Sequence, residues 1–162
     1  MSIVFIIIGK LLQIEYALEA VKNGDTAIGI KVKNGVVIAV EKKASSILID
    51  EQSYKKIQNI SEHIGSTYAG LGPDFRVLLQ KARKESQKYW LKYMEPMWVS
   101  SLSRETAQVV QEFTQQGMNF RPVAHLIGGV RPFGVSLLVA GCDDEGPHLY
   151  QIDPSGAFYG SL

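Results

Sequence analysis

The sequence predicts an α+β protein, and the order of its apolar patterns carries that prediction. Apolar residues recur with a period of two in the first third of the chain, with a helical period over residues 73–116, and again with a period of two near the end. Elements of one kind therefore follow one another, which is typical of sheets with helices segregated on a face. The 162 residues, 46% of them hydrophobic, are predicted to form a single domain, 1–162, with its own core.

A short helix is predicted ahead of the first strand. Its apolar side chains recur at spacings of three and four: Leu11, Ile14, Leu18 and Val21. Such a stripe needs a partner surface. We expect Asn23 and Gly24 to end the helix, because glycine adopts the left-handed conformation without a Cβ clash.

Strands are predicted at residues 26–32 and 36–40, with Asn34-Gly35 as a hairpin turn whose two residues take positive φ. Residues 47–49 and 64–68 are predicted as further strands. The alternation in 26–32 places Ile28, Ile30 and Val32 on one face.

Two helices are predicted next. The first begins at Pro73, which suits a first helical turn, and its apolar side is formed by Phe75, Leu78, Leu79, Ala82, Tyr89 and Tyr93. Ser103 is expected to cap the second helix, which runs to Gln116 and ends at Gly117. Strand-like residues 129–141 and a hairpin around Pro154 and Gly156 complete the pattern.

Composition and spacing argue against several kinds of site. A net charge of +1 gives no electrostatic case for nucleic acid or an anionic membrane, and the apolar start of the chain is too short for a membrane span. His63, His125 and His148 lie far apart without a paired ligand spacing, so we expect no metal and no cofactor. The single cysteine, Cys142, fits a reducing compartment and is interpreted as structural, and the acidic run after it lacks the ligand spacing of a calcium loop.

Three segments together resemble the α-type subunits of the proteasome core particle: GKLLQIEYALEAVKNGDTAIGI, GLGPDFRVLLQKAR and GVRPFGVSLLVAG with the later DPSG. The resemblance runs from Gly9 to about residue 158. It implies an N-terminal nucleophile hydrolase-like αββα sandwich, here with part of one helix layer missing. Three places depart from the family pattern: residues 1–8 are atypical, residues 118–127 look inserted, and the chain stops at Leu162 where family members continue.

The resemblance implies a role without catalysis. In β-type relatives a threonine freed at the start of this first strand uses its own α-amine as the base. Here Asp25 holds that position and the helix remains attached in front of it. We therefore expect a structural subunit and no enzyme. A threonine-type endopeptidase of the β type and a truncated, nonfunctional gene product are the alternatives.

The resemblance also implies sites and partners. Lys56, Gly24 and Leu71 match an activator-binding pocket, in which an ammonium group can neutralise a terminal carboxylate. The resemblance assigns packing in a heptameric ring and at its gate to residues of the first helix: Tyr16, Leu11, Ile14, Leu18 and Val21. The implied partners are other α subunits, β subunits and the C-termini of a regulatory particle or activator, in ubiquitin-dependent protein degradation in the cytoplasm and nucleus.

Overall fold

The computed structural model describes residues 12–43, 46, 48, 50, 53, 55–115 and 131–161. Its elements in chain order are α1 (Leu12–Lys22), β1 (Ala27–Val32), β2 (Gly35–Val40), β3 (Gln58–Asn59), β4 (Ile64–Gly70), α2 (Gly72–Tyr93), α3 (Val99–Gln115), β5 (Val135–Asp143), β6 (Gly146–Ile152) and β7 (Phe158–Gly160). Strands, two helices and strands again confirm the predicted α+β class.

Two antiparallel sheets pack face to face. β1 and β2 pair from Ala27↔Val40 to Val32↔Gly35, and the second sheet has the order β3-β4-β5-β6-β7. Gly29 of β1 lies directly over Leu149 of β6, so a Cβ built at Gly29 would be 2.9 Å from the Leu149 side chain. The small residue lets the two sheets approach closely at this point.

Helices α2 and α3 cover the other face of the five-stranded sheet. Alternate side chains of β5 and the apolar stripes of both helices meet there, as period-two and helical patterns require. The fully buried members include Phe75, Leu78, Val99, Leu102, Val110, Val135 and Val139. Tyr68 of β4 stacks on Phe75 with ring centroids 4.3 Å apart. Of the residues predicted to form the apolar, core-facing side of α2, only Tyr93 lies outside the core, since it is 51% exposed.

The outer face of the β1–β2 sheet is apolar and faces solvent. Ile28, Ile30, Val32 and Val37 are between 53% and 64% exposed. The pairing Ile30↔Val37 places these two side chains next to each other on that face. The predicted alternation in β1 is confirmed, and its apolar residues form an open surface.

The β1–β2 hairpin and the end of α1 before Asn23 and Gly24 are confirmed, but two of the predicted backbone conformations are wrong. The turn between β1 and β2 consists of Lys33 and Asn34, and Gly35 already pairs with Val32. Neither Asn34 nor Gly35 has positive φ, which fits a type I turn, where glycine is favoured at the fourth position. Gly24 likewise has no positive φ. Its lack of a side chain serves a close backbone contact instead.

Helix α3 begins at Val99, five residues before the start that a cap at Ser103 predicts. Its first amide, that of Val99, donates a hydrogen bond to the Asp143 carboxylate at 3.2 Å, so the cap comes from the end of β5. Ser103 is fully buried inside the helix and does not cap it.

The prediction of a strand at residues 47–49 is also not met where it can be checked. Leu48 lies in a turn and is 91% exposed. The strand found in this region is β3, which lies in the polar residues between the predicted strands 47–49 and 64–68. The predictions for residues 1–8, Leu11, residues 118–127 and Gly117 fall outside the described residues.

Candidate functional site

Three glycines bring separate segments together where α1 leads into β1. A Cβ at Gly24 would lie 2.3 Å from the backbone nitrogen of Gly70, and one at Gly70 would lie 2.3 Å from the carbonyl oxygen of Gly134. Both distances are far below a van der Waals contact, so no larger residue fits without moving backbone. Gly70 also has a φ of +112°. The end of β4 and the segment before β5 therefore hold the linker after α1.

Lys56 is a buried cation beside this junction. Its side chain is 2% exposed, and its Nζ donates to the Asp25 carboxylate and, at 2.8 Å, to the Glu41 carbonyl oxygen. Burial lowers the pKa of the Lys56 ammonium, and the carboxylate of Asp25 balances its charge. The hydroxyl of Thr67 on β4 donates to the Lys56 carbonyl at 3.2 Å, which fixes the lysine backbone against the sheet.

Leu71 lies on the exposed side of the same junction. Its amide donates to the Gly134 carbonyl at 2.9 Å, and its side chain packs over Gly134 while remaining 44% exposed. Lys56 contacts Asp25, the residue after Gly24, and Gly24 contacts Gly70, the residue before Leu71. The structure thus brings the three predicted pocket residues into one region.

The predicted packing stripe on α1 is only half covered. Ile14, Leu18 and Val21 are each half-buried, and Tyr16 is 62% exposed. The buried residue of α1 is Ala17, which the stripe did not include. Small side chains let the helix lie close to the ends of β4 and β5, with Ala20 3.5 Å from a Cβ built at Gly134.

A second ion pair fixes the segment that carries Gly134. Arg131 donates to both carboxylate oxygens of Asp74, at 2.7 and 2.8 Å, and the Gly134 amide donates to the same carboxylate at 3.0 Å. Burial opposes ionisation of Asp74, but the Arg131 bonds and the Gly134 amide outweigh it and hold the pKa of this carboxyl below its usual value. The guanidinium pKa of Arg131 is raised in turn by Asp74. Asp74 thereby ties the start of α2 to the junction.

The acidic run after Cys142 has a structural use. Besides capping α3, Asp143 accepts the Glu145 amide at 3.1 Å and lies 2.9 Å from Nε2 of His148. The Cys142 side chain is exposed. Within the described ranges, no three His, Cys, Asp or Glu side chains are grouped so that they could hold a metal ion.

A family model described as a proteasome subunit matches residues 21–161. The chain belongs to the proteasome subunit family. The matched range includes the junction, Lys56, Asp25 and all of the described strands.

Curated relatives of this proteasome-family chain cover most of it. Proteasome subunit alpha type-2-B of Arabidopsis thaliana is 58% identical over 151 residues, which are 93% of this chain and 60% of that protein. The alpha type-2 subunit of Dictyostelium discoideum gives the same figures, and that of Trypanosoma brucei brucei is 51% identical over 151 residues, 93% of this chain and 61% of that protein. The chain spans about 60% of the length of the curated relatives it matches.

The start of β1 in this proteasome-family chain offers no N-terminal nucleophile. Position 25 is an aspartate whose carboxylate is bound to Lys56, and α1 precedes it through continuous peptide bonds. The lone pair of a main-chain amide nitrogen is delocalised, so it cannot act as a base. Thr26 is exposed, and its carbonyl accepts the Glu41 amide at 3.0 Å as part of the hairpin. The ammonium of Lys56 neutralises the carboxylate of Asp25.

Two features of the site had no signal in the sequence. Asp25 and Lys56 are 31 residues apart, and Asp74 and Arg131 are 57 residues apart. No periodic pattern links positions at such separations. The sequence singles out Asp25 only as the residue that holds the position of a threonine.

Proposed function

We propose that this chain is a non-catalytic structural subunit of the α ring of the proteasome core particle, with a role in ring assembly and activator docking. The observation that carries the proposal is the start of β1, where Asp25 replaces a nucleophile and binds Lys56 while α1 stays attached. The relatives named alpha type-2 support the same class of subunit.

The two packed sheets support an N-terminal nucleophile hydrolase-like αββα sandwich. Helices α2 and α3 form the layer on one sheet, and the open face of β1 and β2 is apolar enough to take a second helix layer. Ile30 and Val37 are the centre of that face.

Ring assembly rests on α1. Its side chains Ile14, Leu18 and Val21 are half-buried, and Tyr16 is exposed, so this helix keeps apolar surface for neighbouring α subunits. Leu11 extends the stripe in sequence. β subunits would pack below the same ring, and the assembled particle would act in ubiquitin-dependent degradation in the cytoplasm and nucleus.

Activator docking rests on Lys56, Gly24 and Leu71. An ammonium beside close-packed glycine backbone suits the C-terminal carboxylate of a regulatory particle or activator, and the exposed Leu71 side chain adds apolar contact.

In the described residues, no helix is both long and apolar enough to cross a membrane.

Co-expression with the other α subunits of the same cell tests the proposal. Native mass spectrometry is expected to find this chain in a seven-membered ring, and Lys56→Ala in that ring is expected to weaken tail-peptide binding while leaving assembly intact. Failure to enter any ring would contradict the structural role. Sequencing of the transcript across residues 118–127 and past Leu162 separates this outcome from a truncated, nonfunctional product.

Hydrolysis assays separate the scaffold from a threonine-type endopeptidase. The purified chain is expected to leave short fluorogenic peptides uncleaved, because no free α-amine stands at the start of β1. Cleavage that is lost in Thr26→Ala would instead assign the chain to the β type.

A further inference from the structure

The ammonium of Lys56 already has a carboxylate partner within its own chain. Asp25 binds Nζ from one side, and the Glu41 carbonyl oxygen binds it at 2.8 Å. Lys56 is 2% exposed whereas the Asp25 side chain is 30% exposed. The carboxylate is therefore the member of the pair that solvent reaches.

An external carboxylate cannot simply add to this pair. Placed at the same ammonium, it would lie against the carboxylate of Asp25, and two like charges within a few ångströms repel each other strongly in a partly buried site. Binding from outside requires that Asp25 leave. Asp25 stands in the linker between α1 and β1, outside both elements, so a rotation of its side chain can release Lys56 without breaking a helix or strand.

We propose that Asp25 is an internal ligand of Lys56, so that the carboxylate pocket of this chain is self-occupied and an incoming C-terminal carboxylate must displace Asp25. The proposal rests on the proposed function for the choice of ligand, but the internal occupancy stands on the geometry of this chain alone. Asp25 thereby lowers the affinity of the pocket and selects for ligands with further contacts, such as an apolar side chain against Leu71.

The size of the effect follows from the open fraction. When the binding-competent state is about 10% populated, the apparent affinity falls about tenfold. Removal of the Asp25 carboxylate should therefore raise the apparent affinity about tenfold for any ligand with a free carboxylate. A ligand with an amidated C-terminus should gain nothing.

Acetate is the first probe, applied to the isolated chain. In Asp25→Ala the ammonium loses the carboxylate of Asp25 but keeps the Glu41 carbonyl oxygen, and sodium acetate is expected to raise the Tm of this variant while sodium chloride at equal ionic strength does not. Wild type and Glu41→Gln should not respond. Glu41→Gln is a matched control because it also removes a carboxylate near the pocket, but Lys56 binds the backbone oxygen of Glu41 and keeps that bond. An equal response of wild type, or none in a folded Asp25→Ala variant, would overturn the proposal.

The second probe is an activator tail peptide, in free and amidated forms, bound to the assembled ring. Asp25→Asn keeps an acceptor oxygen and the side-chain shape, so it serves even where Asp25→Ala fails to fold. The free peptide is expected to bind Asp25→Asn about tenfold more tightly than wild type, with no gain for the amidated peptide. Equal binding to wild type and Asp25→Asn, together with loss in Lys56→Ala, would refute self-occupancy and leave the pocket standing. Acetate rescue without peptide binding in any variant would support self-occupancy and remove activator docking.

Discussion

Replacement of Asp74 by asparagine should destabilise the chain at neutral pH and have little effect in acid. The buried carboxylate accepts two hydrogen bonds from Arg131 and one from the Gly134 amide, all at 3.0 Å or less. Asparagine keeps the shape but removes the charge, and its amide nitrogen has no acceptor on Arg131. The substitution therefore tests the link between α2 and the glycine junction.

The expected loss is about 2 kcal/mol in the free energy of unfolding. Hydrogen bonds to a charged group are worth about 1.5–3 kcal/mol. Three such bonds would suggest more, but the Arg131 side chain is 56% exposed and solvent screens its share. The stabilisation that Asp74 provides is expected to decrease as the pH falls. Because the pKa of Asp74 in the folded chain lies below its ordinary value of 3.8, its contribution is complete above that value and is lost as the pH falls through the lower folded pKa.

Urea unfolding followed by the fluorescence of the two tryptophans, Trp90 and Trp98, at sub-micromolar protein to suppress association, measures this difference. The gap between wild type and Asp74→Asn should be constant from about pH 7 to about pH 5 and shrink below 3.8. Arg131→Gln and the double variant complete a cycle that isolates the pair. A neutral-pH gap under about 0.5 kcal/mol, or a gap that persists undiminished in acid, would refute the reasoning.

Three further predictions use the same unfolding and association assays. Gly24→Ala should lower the free energy of unfolding by about 2–4 kcal/mol, because its Cβ would lie 2.3 Å from the backbone nitrogen of Gly70. Gly35→Ala is the control and should be nearly neutral, since a Cβ there meets nothing within 4 Å. Equal stability of the two variants would contradict the close contact at Gly24. The double variant Ile30→Thr, Val37→Thr should raise the monomer fraction measured by light scattering, since both side chains are more than half exposed on the open β1–β2 face. Unchanged association would show that this face does not mediate self-association. Asp143→Ala should cost about 1–2 kcal/mol by removing the cap of α3, and a loss below about 0.3 kcal/mol would mean that the helix start does not depend on it.

The sequence predicted those elements whose signal is local. The β1–β2 hairpin, β4 and α2 follow from periodicity within a dozen residues, and the structure confirms them. The start of α3 could not be found in this way, because its cap is Asp143, 44 residues beyond Val99. Ser103 offered a nearer and better-known signal, and the long-range contact prevailed.

The residues proposed for the activator pocket show the same division between local and long-range signals. Lys56, Gly24 and Leu71 came from resemblance to a family, and the structure places them in one region. The reason for glycine at position 24 lies in Gly70, on a different strand, so an argument from helix termination chose the right residue for the wrong cause. Backbone contacts between distant glycines carry no pattern in a single sequence.

The buried charge of Lys56 explains why an acid is stable at the start of β1, and the attached helix α1 explains why a threonine there would not act as a nucleophile. Asp25→Thr would supply a hydroxyl at the start of β1, but α1 would still precede it through an amide and provide no base. The same change would leave a 2%-exposed ammonium without its carboxylate, which should cost about 2 kcal/mol given that Asp25 is itself partly exposed. We expect Asp25→Thr to lower the urea midpoint and to leave fluorogenic peptides intact. A stable, hydrolytic Asp25→Thr variant would mean that the ion pair has no structural role and that the attached helix is no barrier to the chemistry.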